Sequence, residues 1–129
     1  MPRQPSSEPT EVELKILNAL WDRGPSTVRE IHNALSDSRD TGYSTTVKMM
    51  LVMLEKGLVK RDDSVRPQVY RSAYTRSRTQ RQMLNGLLQR VFEGSTQSLV
   101  QQALSNRKAS KEELDQIRQL LDKLEEDKS

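Results

Sequence analysis

The chain has no cysteine, a single histidine and few aromatics, 4% of its 129 residues. The first absence excludes disulfides, zinc ribbons and thiol catalysis, and fits a reducing compartment. The lone His32 counts against metal chemistry, and no cofactor is expected. Long apolar runs are missing too: the longest, Met49 to Leu54, falls well short of the roughly 18 to 20 residues that a membrane span needs. Direct membrane insertion is therefore not expected. The opening MPRQPSSEP has one arginine and no apolar h-region, so it does not read as a secretory signal, and a cytoplasmic location follows as the expectation. Nor is there a GxSxG, HExxH, P-loop or GxGxxG pattern, which leaves an enzyme without a motif.

With 33% hydrophobic and 30% charged residues, the core must be modest and gathered in few places. A thin core of this kind is expected to need a partner. Net charge is only +3, but it is unevenly spread. From Thr41 to Arg81 nine basic residues (Lys48, Lys56, Lys60, Arg61, Arg66, Arg71, Arg76, Arg78, Arg81) face three acidic ones (Glu55, Asp62, Asp63). From Arg107 onward six basic residues meet seven acidic ones. The middle of the chain is the part suited to a polyanion.

Residues 1–9, rich in Pro and Ser, read as a loose leader. Thr10 with Glu13 has capping-box spacing and opens a helix with Leu14, Leu17, Leu20 and Trp21 at helical intervals, stopped by Gly24-Pro25. Thr27 and Glu30 repeat the box before a short stripe of Val28, Ile31 and Leu35, and SDSRDTG reads as a polar loop. Ser44 is the expected cap of a third helix that ends at Gly57. LVKR and QVYRSAY, separated by DDSVRP, predict a β-hairpin with a basic tip. This order is that of a winged helix-turn-helix over residues 10–75.

Residues 76–129 return to helical spacing. Leu84, Leu87, Leu88, Val91 and Phe92 form one apolar face, Leu99 and Leu104 mark a shorter helix, and Ser110 with Glu113 opens a last one carrying Leu114, Ile117, Leu121 and Leu124. Such stripes have little left in their own chain to pack against, so this region is expected to form a homodimer. The fold class expected is mainly α with a small β-hairpin.

The third helix is the candidate reader of DNA. By period alone its buried stripe runs through Val47, Met50, Leu51 and Leu54, or through Thr46, Met50, Met53 and Gly57. Either choice buries Met50, turns Thr45, Lys48 and Val52 outward, and leaves Met49 at the margin. The hydroxyl cluster Ser44, Thr45 and Thr46 offers small donors to a phosphate, Lys48 follows one turn later, and Arg61, Arg66 and Arg71 on the hairpin are suited to phosphates or a minor groove. The bland readings are a methionine-lined core helix and a solvated charged turn. It is the conjunction of the two elements that favours DNA. A methionine copper(I) site lacks any supporting Cys or His, and Asp62-Asp63 reads as a turn former rather than an acid-base pair.

The segments TEVELKILNALWDRGPSTVREIHNAL, STTVKMMLVMLEKGLVKRD with VYR beyond, FEGSTQSLVQQAL and SKEELDQIRQLLDKLE, in this order, resemble the BlaI/MecI/CopY group of bacterial regulators, the penicillinase repressor family. The resemblance covers nearly the whole chain. It implies a winged-helix domain, a helical region that forms a homodimer on a palindromic double-stranded DNA operator, and derepression by proteolysis under a membrane-embedded sensor metalloprotease. Three departures qualify it. The cysteine motif of the copper-responsive branch is absent, the Asn-Phe cleavage pair of the β-lactam-responsive members is matched by Gln102-Ala103, and Thr46 stands at a usually aliphatic core position. The last favours the stripe through Met50 and Met53. The function expected is a dimeric, sequence-specific repressor; the alternative is an interaction adaptor that oligomerises through its C-terminal helices.

Overall fold

The computed structural model describes residues 8–35, 41–106 and 108–128. Residues 1–7 of the expected leader and residues 36–40 of the expected loop lie outside them. The chain forms two compact units, Met1–Leu84 and Asn85–Ser129.

In the first unit the elements are α1 (Glu11–Arg23), β1 (Ser26–Thr27), α2 (Val28–Ala34), α3 (Tyr43–Lys56), β2 (Val59–Asp62), β3 (Val69–Ser72) and the start of α4 (Arg76–Phe92). Both expected capping boxes are present: Thr10 Oγ1 accepts from Glu13 N at 3.2 Å while Glu13 Oε1 accepts from Thr10 N at 2.9 Å, and Thr27 and Glu30 exchange the same bonds at 3.1 and 2.8 Å. Gly57 ends α3 in the left-handed region at φ 82°, where its amide and that of Leu58 close onto Leu54 and Met53 carbonyls. A β-carbon is disfavoured there.

One local expectation is extended and one is corrected. The sheet has three antiparallel strands in the order β1-β3-β2, not a hairpin alone. Thr27 explains the extra strand, because an N-cap residue has extended backbone (φ −77°, ψ 164°) and so can pair with Val69 while starting a helix. Ser44 is not the cap of α3. That position belongs to Gly42, whose carbonyl accepts from Thr45 N and Thr46 N, and among the described residues no side chain caps the helix N-terminus.

The core is built by Ile16, Leu17 and Leu20 of α1, Ile31 of α2, Met50 and Met53 of α3, and Leu58, Val59 and Tyr70 from the sheet region. Each such side chain contributes on the order of 1.5 to 3 kcal/mol by leaving water. The stripe of α3 is thus the one through Thr46, Met50 and Met53, each fully buried. Trp21 fastens α1 to the end of β3, its indole N–H donating to Ser72 Oγ and to the Tyr74 carbonyl, both at 3.0 Å.

The second unit contains the end of α4, α5 (Thr96–Asn106) and α6 (Lys111–Lys128). Ser95 and Ser110 hydroxyls accept from Ser98 N and Glu113 N at 3.1 and 3.0 Å, capping α5 and α6. Neither helix contains a buried residue. Leu87, Val91, Leu104, Leu121 and Leu124 are exposed, as is Leu84 at the end of the first unit, while Leu88, Phe92, Leu99, Leu114 and Ile117 are half-buried.

Candidate nucleic-acid interface

The buried stripe of α3 decides what its other side presents. At about 100° of rotation per residue, Lys48 lies opposite the Thr46–Met50–Met53 stripe. Ser44, Thr45, Leu51, Val52 and Glu55 flank it, all exposed. Met49 is half-buried and packs against the core. Thr46 must be removed from the expected contacts, since it is fully buried and its hydroxyl is 2.8 Å from His32 Nδ1. Leu51 must be added to the exposed face. Its 45% exposure matches the 43% of Val52, so two aliphatic side chains flank the lysine. Period alone left Leu51 in one of two stripes; the resemblance favoured the stripe without it, and the packing agrees.

The hairpin separates its arginines by face. The register pairs Lys60 with Arg71 and Arg61 with Tyr70. Side chains alternate across a sheet, so Arg61 shares the face of buried Val59 and Tyr70, while Lys60 and Arg71 are exposed together on the other. The expected grouping of Arg61 with Arg71 does not hold. Arg61 is committed within the protein: hydrogen bonding with Tyr70 and then with the Asp63 carboxylate, 2.5 Å away, holds its guanidinium more firmly protonated than usual. Lys60 could have been found from the sequence by counting alternation across the hairpin from Tyr70.

The Lys60–Arg71 pair is electrostatically unfavourable by itself, because like charges directly opposite on one sheet face repel. No carboxylate pairs with Lys48, Lys60 or Arg71 among the described residues. The acidic side chains of the turn are engaged in shaping it. Asp62 accepts from Ser64 Oγ and Ser64 N, which holds its carboxyl below the usual carboxylate value, and Asp63 accepts from Arg61 and from Gln68 at 3.0 Å. Arg66, after which the bond to Pro67 is cis, is exposed at the tip with one long contact of 3.4 Å to the Asp63 carbonyl.

Two clefts border the face of α3. One of about 340 Å³ is lined by Val12 and Glu13 of α1 with Thr45, Lys48, Met49 and Val52. The other, of about 330 Å³, separates α2 and α3 from the hairpin. Glu13 itself is spent on structure. Burial pushes its carboxyl up, but hydrogen bonds and charge from Lys56, 2.7 Å away, together with the Thr10 cap, outweigh that and hold it below its ordinary value. Among the described residues no cluster of His, Asp or Glu is suited to a metal, and no helix is long and apolar enough to cross a membrane.

A family model described as "Penicillinase repressor" matches residues 9–123. The chain is 39% identical over 56 residues to "Transcriptional regulator BlaI" of Mycobacterium tuberculosis, an alignment that spans 41% of this chain and 41% of that relative. It is 24% identical over 113 residues to "Penicillinase repressor" of Bacillus licheniformis, which covers 88% of each chain.

Proposed function

The chain belongs to the penicillinase repressor family, and from that premise we propose that it is a homodimeric, sequence-specific repressor acting on a palindromic DNA operator. Members of the family are transcriptional regulators, not enzymes. One observation carries the reading: among the described residues, Lys48, Lys60 and Arg71 are exposed on α3 and the hairpin without acidic partners, beside a helix N-terminus that no side chain caps. A polyanion would satisfy all of them.

In this reading α3 enters the major groove. Lys48 reaches a phosphate or a guanine edge, Thr45 and Ser44 donate to the backbone, and Leu51 and Val52 meet thymine methyl groups or sugar. Arg66 and the Lys60–Arg71 pair follow phosphates beside it. Two copies join through the exposed apolar faces of α4, α5 and α6, which sets the spacing of two half-sites. Gln102 and Ala103, both exposed on α5, lie in the region where proteolysis under a membrane-embedded sensor metalloprotease would separate that dimer. The setting is the cytoplasm.

Binding to a randomised duplex pool, followed across salt concentration, tests the reading. Affinity should fall with a slope of about −0.9 per phosphate neutralised in a log-log plot. Absence of any salt-dependent binding overturns it.

A further inference from the structure

The junction of α2 and α3 contains a stack of side chains that the outward face of α3 does not use. Arg29, exposed on α2, lays its guanidinium 3.8 Å from the centre of the Tyr43 ring. That ring meets His32 edge-on at 5.6 Å and 88°, and His32 Nδ1 is in turn 2.8 Å from the buried Thr46 hydroxyl. The line runs from a fully buried hydroxyl to an exposed cation. A guanidinium held by its face keeps its in-plane N–H groups for other partners, in the forked geometry that fits a phosphate. No carboxylate takes them among the described residues, since neighbouring Glu30 is engaged by the Thr27 cap and by Arg23 at 3.7 Å. Arg29 and Tyr43 also line the cleft between α2, α3 and the hairpin, together with Leu51 and Gln68.

We infer that Arg29 grips a DNA phosphate on the α2 side of α3, and that Tyr43 is the positioning residue that holds it there. The inference rests on the DNA-binding reading above. A long cation normally loses rotamer freedom on binding, and the stack has removed much of that freedom beforehand. Because Tyr43 is the first residue of α3, the same contact fixes where the helix enters the groove. Phosphate contacts of this kind set register and carry no sequence information.

The test measures salt dependence for the full chain on two duplexes of equal length, one selected from a random pool and one scrambled. Arg29→Ala should reduce the steepness of the slope by about 0.9 and weaken binding to both duplexes by a similar factor. Arg29→Lys should keep the slope, and Tyr43→Leu should weaken binding several-fold while Tyr43→Phe keeps the wild-type value. An unchanged slope in Arg29→Ala overturns the inference, as does a loss confined to the selected duplex, which would make Arg29 a base reader. These results leave the DNA-binding reading standing. Only failure of the wild-type chain to bind either duplex removes both.

Discussion

The two units of this chain use the same periodicity and reach opposite outcomes. In α1 the apolar positions Ile16, Leu17 and Leu20 are at most 3% exposed, covered by α2, α3 and the sheet region. In α6 the comparable positions Leu121 and Leu124 are 54% and 48% exposed, and Leu120 beside them is 55% exposed. Amphipathic spacing states that a face favours cover; it does not state which chain supplies the cover. For the first unit the cover comes from within the chain. For the second, the stripe is left uncovered within the chain, and under the proposed homodimer its stability should be tied to a second copy and so to concentration.

The comparison breaks most visibly through the core. Met50→Ala removes a fully buried side chain at the centre of the first unit and should cost about 2 to 5 kcal/mol in chemical denaturation. Leu121→Ala, which removes the same number of heavy atoms, should scarcely alter the unfolding of an isolated chain. The second unit is tested by charge instead. With Leu121→Asp and Leu124→Asp together, sedimentation should report a monomer, and operator affinity should fall by on the order of 10² to 10⁴ because the half-sites are no longer linked. A wild-type chain that sediments as a monomer at all concentrations would remove the contrast between the units.

Much of the first unit is legible in the sequence. The capping boxes at Thr10 and Thr27, the stop at Gly57 and the core role of Met50 follow from local chemistry, which is complete within a few residues. The two-residue strand Ser26–Thr27 does not, because it is too short to alternate and its second residue also caps a helix. At the interface, Lys48 was legible because both possible stripes turned it outward. Periodicity alone did not place Thr46, Leu51 or Arg61, since their faces depend on which neighbour each element meets: His32 for Thr46, the buried methionines for Leu51, and Tyr70 across the strand for Arg61; for the first two, the family resemblance favoured the stripe that is observed.

Acid should separate the units at an intermediate scale. Glu13 has a folded pKa below its ordinary value of 4.5, so its contribution is complete above that value and is lost as pH falls through the lower folded one. Glu13→Gln should therefore destabilise the first unit by about 1 to 2 kcal/mol near neutral pH, as expected for a largely buried charge-assisted hydrogen bond, and the deficit should close as pH drops below the folded value. In the second unit the Arg118–Asp115 pair is 68% and 51% exposed, so Asp115→Asn should move stability little at any pH. An acid profile of Glu13→Gln parallel to wild type would mean that the Lys56 contact does not set the acid limit of this unit.

The smallest effect is the most informative about the reading face, because its sign is unusual. Lys48→Ala removes an exposed side chain opposite the core stripe and should leave unfolding within about 0.5 kcal/mol of wild type while weakening DNA binding. Lys60→Ala should weaken binding too, yet it relieves a like-charge pair directly across the strand from Arg71 and so should stabilise the first unit by a few tenths of a kcal/mol, about the lower end of cross-strand pair energies. The gain should shrink as salt is raised, since both charges are exposed and screened. A lysine that opposes folding at this position fits a partner of opposite sign. If Lys60→Ala instead lowers the unfolding midpoint at low salt, the pair is serving the fold, and the electrostatic case for a polyanion at the hairpin falls to Arg66 alone.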